Sequence, residues 1–406
     1  MAKRILFLEG NTDGTVGGSY FLMYDLVSRL DRSVYQPIVG FHRDNYLVER
    51  LRSAGVEVHV FPRVNPLNFK ARWLNTLLTP FKKVVNLYRG LITPAFEQAR
   101  FLKERQIDLV NLNNSIIRNH SWVLAAWLAG TKCITHEMGI NMSYSRTSRF
   151  FGKRLDRVIC LSHAIHNGMK KCGIDYPNIT VIHCGIDLSR YKIIETPEVL
   201  REKYRIPAGA PVIGVVGNVR QWKGQETLVR ATALLKSSYP DIRCMLVGDC
   251  GEADRYYGDH LERLCKELGV VENVIFTGFQ RNAIDYMEMM DVVTHTSVHP
   301  EPFGVVTLEA MSRAKPLVST TIGGPAEVVI SGETGLLVDP GKPELLAAAV
   351  KTFLSDMERA KAIGRRGYER LHSHFSMQQN LDKTMQVYSQ LLDHAAADRG
   401  VQVQRA

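Results

Sequence analysis

The sequence predicts a two-domain α/β protein built on parallel sheets, and three observations carry that reading. The chain has 406 residues, more than one ordinary core holds and enough for two. Short β-rich runs alternate with helical patterns in both halves, as repeated βαβ units require. Between the halves, Gly185–Pro211 contains Pro197, Pro207 and Pro211 and no strong strand, the composition of a linker.

The first half offers strands at Arg4–Leu8, Gln36–Phe41, Val56–Phe61, Leu109–Leu112, Lys132–His136, Val158–Leu161 and Thr180–His183. The second offers Val212–Gly217, Arg243–Gly248, Val274–Thr277, Val292–His295, Pro316–Ser319 and Leu336–Val338. Helical patterns of about 10–15 residues between such runs make each half Rossmann-like. The expected domains are 1–190 and 191–372, facing each other across a cleft, with 373–406 as a tail. In that tail Ser376 is placed to cap a helix over Met377–Leu392.

Composition narrows the class. Hydrophobic residues make up 45% and charged residues 23%, the balance of a soluble globular protein. The opening run Ile5-Leu6-Phe7-Leu8 is too short for a signal-peptide core, and no stretch approaches the ~20 apolar residues of a spanning helix. Seven cysteines without C-x-x-C spacing fit reduced thiols in a cytosolic compartment. His183-Cys184 reads as a strand end entering a loop. No metal-ligand cluster is visible. A net charge of +10 asks for an acidic partner: nucleic acid, anionic lipid or a phosphorylated ligand. The basic residues lack the aromatic interleaving of a nucleic-acid module.

One insertion breaks the rhythm. From Phe69 to Arg89 apolar residues recur at helical spacing, with Lys70, Arg72, Lys82, Lys83 and Arg89 among the polar positions. Two readings stand: an interfacial helix on an anionic membrane, or ordinary helices packed on a sheet.

Two segments carry chemistry. The run Val212–Gly217 leads into Asn218-Val219-Arg220-Gln221-Trp222-Lys223-Gly224. Arg220 and Lys223 are three apart, so in a first helical turn both would face one side and clamp a phosphate beside a helix N-terminus. The second is Glu301-Pro302-Phe303-Gly304-Val305-Val306-Thr307-Leu308-Glu309. Pro302 fits a first helical position, and Glu301 lies at the carboxyl end of a parallel strand, where open α/β sheets hold ligands. Glu309 is about two turns, roughly 12 Å, further on, too far to share one proton with Glu301. The pair suits the two ends of a long ligand, with sugar at Glu301, ribose at Glu309 and phosphates at the Gly304 and Val305 amides.

The segment Glu301–Glu309 resembles the E-x7-E motif of retaining glycosyltransferases of the GT-B fold, the glycosyl transferases group 1 family. Residues 212–340 are similar to their donor domain, and Asn218–Gly224 to their Arg/Lys diphosphate loop. Gly17-Gly18 looks like the glycine pair after the first strand, and His136 like the histidine near the transferred sugar. Cys184 stands where the family usually has Asn, Ala314 where glycine is usual, and Arg281 where acidic residues are frequent.

The resemblance implies GT-B architecture, with an acceptor-binding domain at 1–190, a nucleotide-sugar donor domain at 191–372 and a terminal helix crossing back to the first. It implies retaining transfer of a hexosyl group from a UDP- or GDP-linked sugar to a glycan or polyprenyl-linked acceptor in surface polysaccharide biosynthesis. The implied catalytic residues are Glu301, His136, Arg220 and Lys223. The implied donor contacts are Gly17, Gly18, Arg220, Lys223, Phe303, Gly304, Val305 and Glu309. No cofactor or metal is expected, and the expected location is cytoplasmic, peripheral at the inner face of the plasma membrane. The rival classes are a sugar-nucleotide epimerase, a phosphorylase, or a silent sugar-nucleotide binder.

Overall fold

The computed structural model describes residues 2–11, 18–63, 65–68 and 78–403, with side chains through 393. The chain divides into two compact units, Met1–Ile182 with Leu381–Ala406, and His183–Asn380.

The first unit holds a seven-stranded parallel sheet: β1 (Lys3–Leu8), β2 (Tyr35–Phe41), β3 (Glu57–Val60), β4 (Leu109–Leu112), β5 (Lys132–Glu137), β6 (Arg157–Cys160) and β7 (Ile179–Val181). Their spatial order is β3-β2-β1-β4-β5-β6-β7. In β1, Ile5, Leu6, Phe7 and Leu8 are all fully buried, but Leu6 and Leu8 join one apolar cluster and Ile5 and Phe7 another. Both faces of the sheet are therefore covered, which is why the strands read as continuous apolar runs. The terminal helix Met377–Val403 starts with Ser376 Oγ accepting from the Gln379 amide at 3.3 Å. Its Leu381, Tyr388 and Leu392 fill the cluster that contains Ile5 and Phe7.

The second unit holds a six-stranded parallel sheet: β8 (Val212–Val216), β9 (Arg243–Val247), β10 (Val274–Gly278), β11 (Val292–Thr294), β12 (Leu317–Thr320) and β13 (Leu336–Val338). The order is β10-β9-β8-β11-β12-β13. The chain leaves β8 toward β9 and returns on its other side at β11, so the switch point lies between β8 and β11. Open α/β sheets bind ligands at such a point, off the strand carboxyl ends.

All thirteen expected runs form strands, with ends moved by one or two residues. The expected linker does not behave as one. Residues 183–211 belong to the second unit, because Ile186 bonds back to Phe375, and the Ile194 and Glu195 amides donate to the Asp285 carboxylate. Pro197, read as a linker residue, opens the helix Pro197–Lys203. The boundary accordingly falls at 182/183 rather than 190/191.

Candidate active site at the carboxyl edge of the second sheet

Two loops leave the switch point and are tied together. The loop after β8 turns at Gly217, forms a 3-10 turn over Gln221–Lys223 and passes Gly224, in the left-handed region at φ 68°, into the helix Gln225–Leu235. A Cβ on Gly224 would strike the Thr296 carbonyl oxygen. The loop after β11 closes onto it through Thr296 Oγ1 donating to the Lys223 carbonyl (2.8 Å) and the Val298 amide donating to the Trp222 carbonyl (2.9 Å).

This contact delivers Lys223 to Glu301. Glu301 is 6% exposed, and its Oε1 accepts from Lys223 Nζ at 2.8 Å, His295 Nε2 at 2.8 Å and Ser297 Oγ. On the far side of the ring, His295 Nδ1 lies 3.1 Å from Ser319 Oγ. Burial pushes the Glu301 carboxyl up, but the His295 hydrogen bond and charge, with Lys223 behind them, hold it at about 2. Glu301 is thus a fixed acceptor whose carboxylate is kept ionised.

Glu301 is also held by its backbone. Gly323, at φ 75°, lies where a Cβ would come within 2.6 Å of the Glu301 N and O atoms, and the Gly324 amide donates to the Glu301 carbonyl at 2.9 Å. Gly304, at φ 76°, precedes the helix Val305–Ser312. The helix therefore begins three residues after Pro302, not at it, because a left-handed residue cannot be part of a right-handed helix. The first amides of that helix lack intrahelical acceptors. Phe303 is 2% exposed and packs against the His183 and Phe375 rings, which leaves its side chain little surface for a ligand.

Arg220 and Lys223 do not share one helical face. Arg220 has extended backbone and its Nε pairs with Asp254 Oδ2 at 3.1 Å, whereas Lys223 pairs with Glu301 and lies over the Trp222 ring. The separation arises because α-helical geometry starts only after Gly224. Glu309, half-buried, accepts from Tyr191 Oη at 3.3 Å; burial raises its carboxyl pKa and that hydrogen bond opposes the rise.

In the first unit, His136 lies at the end of β5, 7% exposed, with Nε2 3.0 Å from Asn111 Oδ1. Tyr388 Oη donates to the same oxygen at 3.1 Å. Burial pulls the His136 pKa down to about 4, so the ring is neutral at pH 7 and donates through Nε2. Its neighbour Glu137 is fully buried, accepts from Ser115 Oγ (2.8 Å) and the Ile116 amide, and is pushed up to about 7 by burial. Gly18 is the exposed first residue of the helix Gly18–Arg29, and Gly17 lies outside the described residues. His183 is engaged by Glu327 at 2.9 Å.

Of the basic insertion, 69–77 lie outside the described residues. The helix Thr79–Leu87 and its π-helical continuation Tyr88–Ile92 bury no residue, and Phe81, Val84, Leu87 and Tyr88 are exposed. Leu91 packs against the core cluster of the first unit, so this part is packed along one side and exposes apolar side chains along the other, and both readings of it stand. Among the described residues no helix is long and apolar enough to cross a membrane.

Sequence reasoning found Glu301, Lys223 and Glu309 but missed His295, Ser297, Ser319, Asp254 and Tyr191. His295 and Ser297 sit six and four residues before Glu301, close enough to have suggested carboxylate partners. Nothing local marks the other three.

Known proteins resemble this chain in both units. Residues 197–370 match the family described as glycosyl transferases group 1, and residues 45–190 match glycosyltransferase family 4. The chain is 35% identical over 187 residues to the lipopolysaccharide core biosynthesis glycosyltransferase LpsE of Rhizobium meliloti (strain 1021), covering 46% of this chain and 52% of that protein. It thus spans about half the length of that relative. It is 24% identical over 370 residues to the N-acetyl-alpha-D-glucosaminyl L-malate synthase of Bacillus anthracis, covering 87% and 93% of the two chains. Among solved structures, Anabaena Alr3699/HepE in complex with UDP superposes with a TM-score of 0.78 at 25% identity, covering 95% of this chain and 100% of the other.

Proposed function

Because the chain belongs to the glycosyl transferases group 1 family, with two parallel-sheet α/β domains of GT-B type, we propose that it transfers a hexosyl group, with retention, from a nucleoside-diphosphate sugar. The acceptor is proposed to be a glycan or lipid-linked glycan of a surface polysaccharide. The observation that carries the reading is the pairing of Lys223 with the ionised, immobilised Glu301 at the switch point of the second sheet. A cation and a fixed acceptor on one spot match the phosphate and the hydroxyls of one donor.

In the proposed reaction Lys223, Arg220 and the Gly304 and Val305 amides stabilise the departing diphosphate. Glu301 orients the sugar through its hydroxyls and does not act as a nucleophile, since a carboxylate accepting three hydrogen bonds is a poor one. A donor phosphate oxygen takes the acceptor's proton. Glu309 binds the ribose and His136 contacts the transferred hexose. The reaction is proposed to need no metal, and UDP is the favoured nucleotide because HepE is described in complex with UDP. The protein is proposed to work at the inner face of the plasma membrane, with the exposed residues 78–89 on anionic lipid.

Thermal unfolding with UDP, GDP and ADP tests the donor: a bound nucleotide raises the midpoint, and no shift with any of them refutes the reading. Glu301→Ala is expected to abolish transfer while the fold persists; unchanged turnover refutes its role. NMR of the product anomer decides retention. Flotation with anionic liposomes at low salt decides membrane contact, and no binding removes it.

A further inference from the structure

The carboxyl edge of the first sheet carries a second polar cluster that the reaction above does not use. Arg118 Nη1 donates to the Gly10 carbonyl (3.2 Å) and to Asn11 Oδ1 (2.9 Å). Asn114 Nδ2 donates to the same Asn11 oxygen at 3.0 Å. Asn119 is 4% exposed, and its Oδ1 faces His42 Nε2 at 3.2 Å. Its Nδ2 is buried without a hydrogen-bond partner, an omission that costs about 1–3 kcal/mol and lies 3.2 Å from where a Cβ on Gly10 would stand. His42 Nδ1 in turn meets the Phe61 carbonyl at 3.0 Å, two residues before Arg63.

Charge there is unbalanced. Arg118 acts on Arg63 within Coulombic range, and desolvation with that repulsion lowers the Arg63 pKa. Among the described residues neither guanidinium pairs with a carboxylate. Glu9 is near, but its oxygens are taken by the Asn11 amide (3.0 Å) and Asn113 Nδ2 (2.7 Å). The backbone is strained as well: Asn114, Ser115 and Asn119 all have positive φ, at 72°, 91° and 58°. Strain of this kind persists where surrounding structure enforces it, and it gathers at ligand sites.

We propose that Arg118, Arg63 and the Asn119 carboxamide form an oxyanion site that holds a phosphate or diphosphate group of the acceptor. Two guanidiniums that have no carboxylate partner among the described residues present the donor fork that recognises such a group, and the unpartnered amide adds a donor. The proposal rests on the glycosyltransferase reading for the word acceptor, but the anion site itself stands on the first unit alone.

The test is calorimetric titration of the full chain with inorganic pyrophosphate in saturating UDP, which occupies the donor's own diphosphate site. Wild type is expected to keep one pyrophosphate site, weakened about tenfold or more in Arg118→Gln and in Arg63→Gln and largely retained in Arg118→Lys. Absence of a UDP-resistant site, or unchanged affinity in both Gln variants, overturns the proposal. Should Arg118→Gln unfold early, the exposed Arg63→Gln decides. Binding of UDP, GDP and ADP measured alone reports on the donor reading separately: failure of all three would refute that reading, while the comparison of wild type with Arg118→Gln and Arg63→Gln would still decide the anion site.

Discussion

His136 and Glu137 are consecutive, both buried, and displaced in opposite directions. The His136 pKa falls from 6.5 to about 4 and the Glu137 pKa rises from 4.5 to about 7. For His136 the unfolded chain binds the extra proton between pH 6.5 and 4, so stability is lost as pH falls through that window. For Glu137 the folded chain holds the extra proton between pH 4.5 and 7, so stability is gained as pH falls. Each slope is about 1.4 kcal/mol per pH unit at full strength, and over pH 6.5 to 4.5 each integrates to about 2 kcal/mol of opposite sign. The pair therefore nearly cancels. Glu137→Gln is expected to make the first unit about 2 kcal/mol less stable at pH 4.5 than at 6.5, relative to wild type, and His136→Asn to do the reverse. Urea unfolding followed by fluorescence of the buried Trp122, at several pH values, reads this directly. If both variants keep the wild-type pH dependence, the burial argument for these two groups is wrong.

Other outcomes follow from the second unit. His295→Asn removes the strongest influence lowering the Glu301 pKa; it is expected to cost about 1–3 kcal/mol at pH 7 and to move the acid limb of the transfer pH profile upward. The sign is that of a depressed carboxylate: its stability contribution is present above pH 4.5 and lost as pH falls toward 2. Gly323→Ala is expected to lose about 1–3 kcal/mol in thermal unfolding and to reduce transfer as well, because its Cβ must displace the Glu301 backbone. Ala314→Gly is expected to gain about 1 kcal/mol, since Ala314 has φ 50° and a non-glycine residue pays for that conformation.

The central strands were legible because both of their faces are covered, so that runs such as Ile5–Leu8 and Cys244–Val247 are apolar throughout, whereas β3, at the sheet edge, alternates Glu57, Val58, His59 and Val60. Glu301 and Lys223 were legible because residue type and position after a strand are local properties. The partners were not. Ser319 reaches His295 only because β12 lies beside β11 with Val318 opposite Thr294, a pairing that no spacing encodes. The common clamp expected of Arg220 and Lys223 failed on one glycine: Gly224 ends the 3-10 turn, and a three-residue spacing has no α-helical meaning before it. The linker failed because proline was read as a break, whereas Pro197 begins a helix. Ala314, noted as a departure where glycine is usual, has a physical meaning that only its backbone angle supplies.

The ion pair between Lys223 and Glu301 has a bearing on selectivity. Without a donor, each charge already has its counter-charge, so the site advertises almost no net field to passing anions. A lone phosphate would have to strip the lysine from Glu301 and leave a buried carboxylate stranded. A bare sugar would meet a carboxylate whose Oε1 already accepts three donors and would offer the lysine no counter-charge. Only a ligand that brings phosphate and hydroxyls on one molecule can satisfy both halves of the broken pair at once. On the proposed donor role, the resting contact would work as a coincidence gate, rewarding the intact donor over either of its fragments.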